Sequence, residues 1–188
     1  MNTGKVSNEF LKNRIFSKLQ IKRKDVLLGP GIGRDCSVLE FGDELCIISS
    51  DPITGAVSRI GYIGVHICCN DIATTGAEVI GVTLTILAPP STAMSEIEQA
   101  VIDAEYAARE LGIDILGGHT EITDSVTKMV ICLTAVGKVS RQNLVSFTNA
   151  KAGDDIVITK KAGMEGTAIL AHDREDLLKR YLPEDIIK

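Results

Sequence analysis

Apolar and polar positions alternate through the early part of the chain. Cys36–Phe41 alternates loosely, Gly42-Asp43 makes a turn, and Leu45–Ser49 reads as the partner strand of a β-hairpin. That strand is expected to end at Asp51-Pro52, because a residue before proline is pushed towards extended backbone. Ahead of the hairpin, residues 7–20 carry Phe10, Leu11, Ile15 and Leu19 near helical spacing, which predicts an amphipathic helix. Ser58 reads as the N-cap of a helix running to about Thr75 and closed by Gly76. Val79–Ala88 is a β-rich run stopped by Pro89-Pro90. Ser95-x-x-Glu98 reads as a capping box, opening a helix with Ile97, Val101, Ala104, Ala108 and Leu111 on one face. Ile113–Leu116 predicts a short buried strand running into a polar loop, Gly117–Glu121. Lys128–Val139 predicts a long strand interrupted near Gly137. The order β-β-α-β-α-β-β belongs to the α+β class, a mixed or antiparallel sheet covered by helices.

The polar turn Asn149–Asp154 marks a boundary. Beyond it, Ile156–Thr159 is expected to start a strand, Gly163–Gly166 a turn and Thr167–Ala171 a helix, before the charged segment Asp173–Lys188. Two units are therefore expected: a first domain over residues 1–150, and in 151–188 the opening of a second domain that is cut short.

Composition narrows the partners. At 188 residues, 45% hydrophobic and 24% charged, the chain has ordinary globular character. With three Tyr, four Phe and no Trp, the core must be built from aliphatic side chains. A net charge of −5, with Lys22-Arg23-Lys24 the densest basic run, argues against nucleic acid as a partner. The five cysteines are odd in number, two are adjacent, and none forms a C-x-x-C pair. Neither a disulfide framework nor a zinc site is indicated, and a reducing, cytoplasmic setting is expected. Met1–Lys5 lacks the apolar stretch of a signal peptide, and no run of 18 apolar residues predicts a membrane span.

Three stretches carry candidate chemistry. Gly29-x-Gly31-x-Gly33 could bring backbone N–H groups close to phosphate oxygens. It lacks the Gly-Lys-Ser/Thr of a Walker A loop and the third glycine and helix of a Rossmann fingerprint. On spacing alone it reads as a plain connection between a helix and a strand. Asp35 follows this loop, Asp51 sits at a strand end, and Asp71 lies in the last turns of a helix, where the macrodipole disfavours an anion. Carboxylates gathered from three elements are what Mg²⁺ recruits alongside substrate phosphates, although each alone also reads as a cap or surface group. Gly117-Gly118-His119-Thr120-Glu121 follows a strand, a common position for ligand loops. His119 reads first as a structural histidine, with a base or a phosphate donor as the functional alternatives. His66, at i,i+4 spacing from Asn70, reads as structural.

Together these strings resemble the superfamily of aminoimidazole ribonucleotide (AIR) synthetase, with selenophosphate synthetase, thiamine-monophosphate kinase and the hydrogenase-maturation carbamoyl dehydratase. The matching strings are Gly31-Ile-Gly-Arg-Asp-Cys-Ser-Val38, Ser50-Asp-Pro-Ile-Thr54, Asn70-Asp-Ile-Ala-Thr-Thr-Gly-Ala77, Gly117-Gly-His-Thr-Glu121 and Gly163-Met-Glu-Gly-Thr-Ala-Ile-Leu170. They span roughly residues 26–171, and the hydrogenase-maturation-like branch is the one most resembled. The resemblance implies an ATP-binding N-terminal domain that dimerises through its sheet, with the site near the dimer interface. It implies Mg²⁺ ligation by Asp35, Asp51 and Asp71. It also implies nucleotide or phosphate contacts from Gly31, Gly33, Asn70, Gly117, Gly118, His119 and Thr120.

The chain departs from the family pattern in three ways. His119 stands where many members carry an acid, Arg34 stands where several carry a further acid, and only the opening of the second domain is present. No cysteine precedes Cys36, which argues against selenophosphate synthesis. The expected function is that of the Mg²⁺-ATP-binding domain of an ATP-dependent ligase or phosphotransferase, inactive as this stretch alone and acting on an unknown acceptor. The alternatives are a non-catalytic nucleotide-binding module and a plain dimerisation or assembly module. No catalytic residue is assigned.

Overall fold

The computed structural model describes residues 4–56, 58–146 and 149–187. Met1–Thr3, read above for a leader, and Lys188 lie outside them. Six strands form one mixed sheet: β1 (Val26–Leu28), β2 (Cys36–Phe41), β3 (Glu44–Ile53), β4 (Glu78–Ala88), β5 (Asp114–Ile122) and β6 (Val130–Ser140). Their spatial order is β1-β2-β3-β6-β4-β5, antiparallel except for the β4–β5 pair. The hairpin of β2 and β3 turns at Gly42-Asp43 as expected, with Gly42 at a φ of 68°. Strand β3 continues through Pro52, and β1 carries no sequence signal long enough to predict it.

Among the described residues, helices cover one face of the sheet. Helix α2 (Ile60–Thr74) lies on β3 and β6, and α3 (Met94–Leu111) packs on α2. The inward set Leu45, Ile47, Ile53, Val82, Leu84, Ile86, Ile131 and Leu133 meets Val65, Cys68 and Ile72 of α2 in one aliphatic core. Glycine is required at Gly61, where a Cβ would stand 2.0 Å from the Ala100 carbonyl oxygen, so its absence lets α3 lie against the α2 backbone.

The inward stripe of α3 is Ile97, Ala100, Ala104, Ala107 and Ala108; Val101 and Leu111, expected on it, are exposed. Small residues win because the two helices approach so closely. The caps also differ from the expected ones. Arg59, not Ser58, precedes α2, in a left-handed conformation at φ 51°. Helix α3 starts two residues early, with Ala93 rather than Ser95 as its cap and Glu96 rather than Glu98 reaching back to the Ala93 N–H at 2.7 Å. Gly76 and Gly112, both at positive φ, close α2 and α3.

Among the described residues the opposite face of the sheet carries no helix. Leu39, Ile48, Leu87, Cys132 and Val136 lie there half-buried beside Ser50, Thr83, Thr85 and Thr134. Residues 7–20 do not form one amphipathic helix. Helix α1 (Asn8–Phe10) passes into a π-turn and a 3-10 turn, and Phe10, Ile15 and Leu19 are about half exposed.

Gly117–Glu121, read as a loop, is the body of edge strand β5, and Gly137 does not interrupt β6. The expected strand Ile156–Thr159 has no partner among the described residues, and Ile156, Val157 and Ile158 are exposed. It is followed by α4 (Met164–Asp173) and the short helices α5 (Glu175–Leu178) and α6 (Glu184–Ile187). Among the described residues no helix is long and apolar enough to cross a membrane.

Candidate functional site

Strand β3 presents alternate residues to the helical layer: Leu45, Ile47, Ser49 and Asp51. Asp51 pairs in register with Leu133, and Leu133 packs where α2 crosses at Gly64, so the Asp51 carboxylate lies on the helix-covered face. Helix α2 runs back over the sheet and brings Asp71, in its last turn, to the same region. The segment entering β2 contributes Asp35. Its carbonyl oxygen lies 3.1 Å from the Ser49 hydroxyl, which lies 2.9 Å from Asp71 Oδ2. The Cys36 thiol donates to the Asp71 backbone carbonyl at 3.3 Å. The three aspartates predicted from three separate strings therefore converge.

The electrostatics of this corner are unfavourable without a cation. Burial, a hydrogen bond with Asp51 and repulsion from Asp51 and Asp35 push the Asp71 carboxyl up to about 6, against a weaker opposing bond from Ser49. Burial first, then the charges of Asp71 and Asp35, pushes the Cys36 thiol up to about 12, so it is no nucleophile. None of the three aspartates forms an ion pair with a Lys or Arg among the described residues. Nor do any three carboxylate, imidazole or thiol groups among those residues form a ready-made metal cage. A protein that binds Mg²⁺ through one or two carboxylates, with phosphate and water supplying the rest, needs none.

The glycine loop borders this corner. Gly33, at φ 73°, Arg34 and Asp35 line a cleft of about 530 Å³ that also takes in Leu28, Thr75 and Leu144. The Arg34 side chain lies across Gly31, and Nη1 donates to the Gly29 carbonyl at 3.4 Å. A Cβ on Gly31 would stand 2.9 Å from that side chain. Asn70 is exposed beside Asp71.

Gly117, Gly118, His119 and Thr120 are not brought to the aspartates within one chain. Asp51, Leu133, Leu84 and Gly118 form one row across four strands. Three inter-strand steps place Gly118 roughly 14 Å from Asp51. His119 alternates to the helix-free face and lies 3.4 Å from Glu121. At Gly118 a Cβ would fall 1.8 Å from the Leu84 carbonyl oxygen, and φ is +153°, so this glycine sets strand pairing. His66 lies away from the corner, its ring 4.5 Å from that of Tyr62.

Sequence reasoning missed Ser49. Its one signal is a hydroxyl at an inward position of an otherwise apolar strand.

The chain is thus an α+β domain whose sheet is backed by helices on one face, with aspartates gathered beside a glycine loop. Residues 33–139 match the family model "AIR synthase related protein, N-terminal domain", and the chain belongs to that family. A hydrogenase expression/formation protein of Methanocaldococcus jannaschii is 27% identical over 172 residues, covering 89% of this chain and 51% of the relative. A selenide, water dikinase of Carboxydothermus hydrogenoformans is 30% identical over 168 residues, covering 86% of this chain and 47% of the relative. The chain thus spans about half the length of these curated relatives. Among solved structures, AaThiL complexed with AMPPCP and TMP superposes with a TM-score of 0.72 at 17% identity, covering 97% of this chain and 58% of that one. Hydrogenase maturation protein HypE in complex with ATP gives 0.52 at 23% identity, covering 80% and 45%. These likenesses establish the fold.

Proposed function

We propose that this chain is the Mg²⁺-ATP-binding part of an ATP-dependent enzyme that activates an oxygen of its acceptor by phosphoryl transfer. The observation that carries the reading is the convergence of Asp35, Asp51 and Asp71 without a compensating cation, with Asp71 pushed up to about 6. A corner that repels its own carboxylates suits a bound cation. Mg²⁺ bound there would neutralise charge on the phosphate oxygens, and Asp35, Asp51 and Asp71 would hold it. Gly31, Gly33 and Asn70 border the corner and supply backbone and amide donors to phosphate. Arg34 adds a positive charge where a further acid would favour a second ion. The likeness to a selenide, water dikinase and the AMPPCP and ATP bound by two structural neighbours support a nucleotide as ligand.

The reading includes a homodimer. The helix-free sheet face is a half-buried surface of aliphatic residues and hydroxyls, and β5 is an exposed edge. Pairing two such faces covers them. Gly117–Thr120 lie on that exposed edge, remote from the aspartates of their own chain. Residues 151–188 are read as the start of a second domain, in which Ile156, Val157 and Ile158 are exposed.

Isothermal titration with ATP, with and without Mg²⁺, tests the nucleotide reading. Binding that requires the metal is the expected result. No binding in either condition overturns it and favours a module whose role is dimerisation or assembly.

A further inference from the structure

Ser49 is the one polar side chain among the described residues that is buried outright, at 2% exposure. Its neighbours in the sheet row are Cys36 and Ala135, so an alanine would fit the row without withdrawing a hydroxyl from water. What the hydroxyl gains is specific. It stands 2.9 Å from Asp71 Oδ2 and 3.1 Å from the Asp35 carbonyl oxygen. Having one proton, it donates to one of them at a time, and an ionised carboxylate is the stronger acceptor. Strand β3, the loop entering β2 and the end of α2 thus meet at a single buried atom. Beside its hydrogen bond with Asp51, the Asp71 carboxylate is held by this hydroxyl against rotation about its terminal bond.

We propose that Ser49 is a positioning residue of the metal-nucleotide site, its hydroxyl donating to the Asp71 carboxylate and fixing it in the orientation a divalent cation on phosphate requires. This role rests on the Mg²⁺-ATP reading. Ser49 contacts no ligand; it acts through Asp71. Groups that orient metal ligands typically change metal affinity by about tenfold or more when removed.

The test is Ser49→Ala in the full chain, with ATP binding followed by calorimetry across a Mg²⁺ series. The Mg²⁺ concentration giving half-maximal ATP binding should rise about tenfold, while binding at saturating Mg²⁺ returns to the wild-type level. A midpoint equal to wild type overturns the positioning role. So does a lowered plateau with an unmoved midpoint, which marks a merely structural residue. If Ser49→Ala does not fold, Ser49→Cys keeps the volume with a weaker donor and is read by the same midpoint. Wild-type protein that binds no ATP at any Mg²⁺ concentration refutes the nucleotide reading itself, and the role of Ser49 falls with it. Wild-type binding with an unmoved mutant midpoint refutes only the role of Ser49.

Discussion

Replacing Asp71 with Asn separates the cost of the aspartate corner from its use. In the folded chain the carboxyl is pushed from 3.8 up to about 6, by burial first and by Asp51 and Asp35 after it. The folded state therefore binds the proton more tightly than the unfolded state, and this group's effect on stability falls as pH rises through that window. Below pH ~4 the carboxyl is neutral in both states and costs nothing; above pH ~7 the full cost is present. The shift corresponds to at most about 3 kcal/mol, which partial solvent exposure trims to roughly 1–2 kcal/mol. Asp71→Asn without ligand should thus raise Tm at pH 7.5 by about 2–8 °C, and the gain should vanish near pH 4. With ligand the advantage shrinks, and it reverses where affinity falls about a hundredfold. Mg²⁺-ATP at a hundred times its Kd stabilises wild type by about 2.7 kcal/mol, and a tenfold to hundredfold loss of affinity leaves ~1.4 to ~0.4 kcal/mol. Differential scanning fluorimetry at both pH values, with and without Mg²⁺-ATP, reads all four states. If Asp71→Asn unfolds the apo protein at pH 7.5 yet keeps the full ligand shift, Asp71 is a structural cap and the cation-site argument is wrong.

Asp51→Asn should lose the Mg²⁺-ATP shift in the same assay, whereas Asp43→Asn, in the exposed hairpin turn, should keep it. Light scattering at micromolar concentration should give twice 20.1 kDa for the wild type, and a monomer would refute the sheet-to-sheet dimer. Ile48→Glu, on the helix-free face opposite Val136, should convert the dimer to monomer, as size-exclusion chromatography would show. Gly118→Ala places a methyl against the Leu84 carbonyl and should destabilise by at least ~1–3 kcal/mol in urea denaturation, and an unchanged midpoint would count against the β4–β5 pairing.

Local chemistry determined much of this protein. The hairpin turn at Gly42-Asp43, the closure of α2 at Gly76 and the run of β4 follow from near-neighbour backbone preferences, which sequence carries directly. The strings holding Asp35, Asp51 and Asp71 also pointed to a phosphate and metal site through their resemblance to a family. What spacing could not show was that these residues meet. That depends on α2 running back across β3, a consequence of packing through Gly61 and Gly64 against α3 and Leu133. Strand β1 was too short to carry a period. The segment Gly117–Glu121 looked like a loop because its glycines and polar residues suit one, yet as an edge strand it needs only β4 as partner and no buried face. The stripe of α3 fell on alanines instead of Val101 and Leu111 because the closeness of α2 selects small side chains, a choice no helical period contains. Ser49 shows the same division. Its position in a strand was legible, but the reason for a hydroxyl there exists only where the Asp35 loop and the end of α2 arrive at one buried atom.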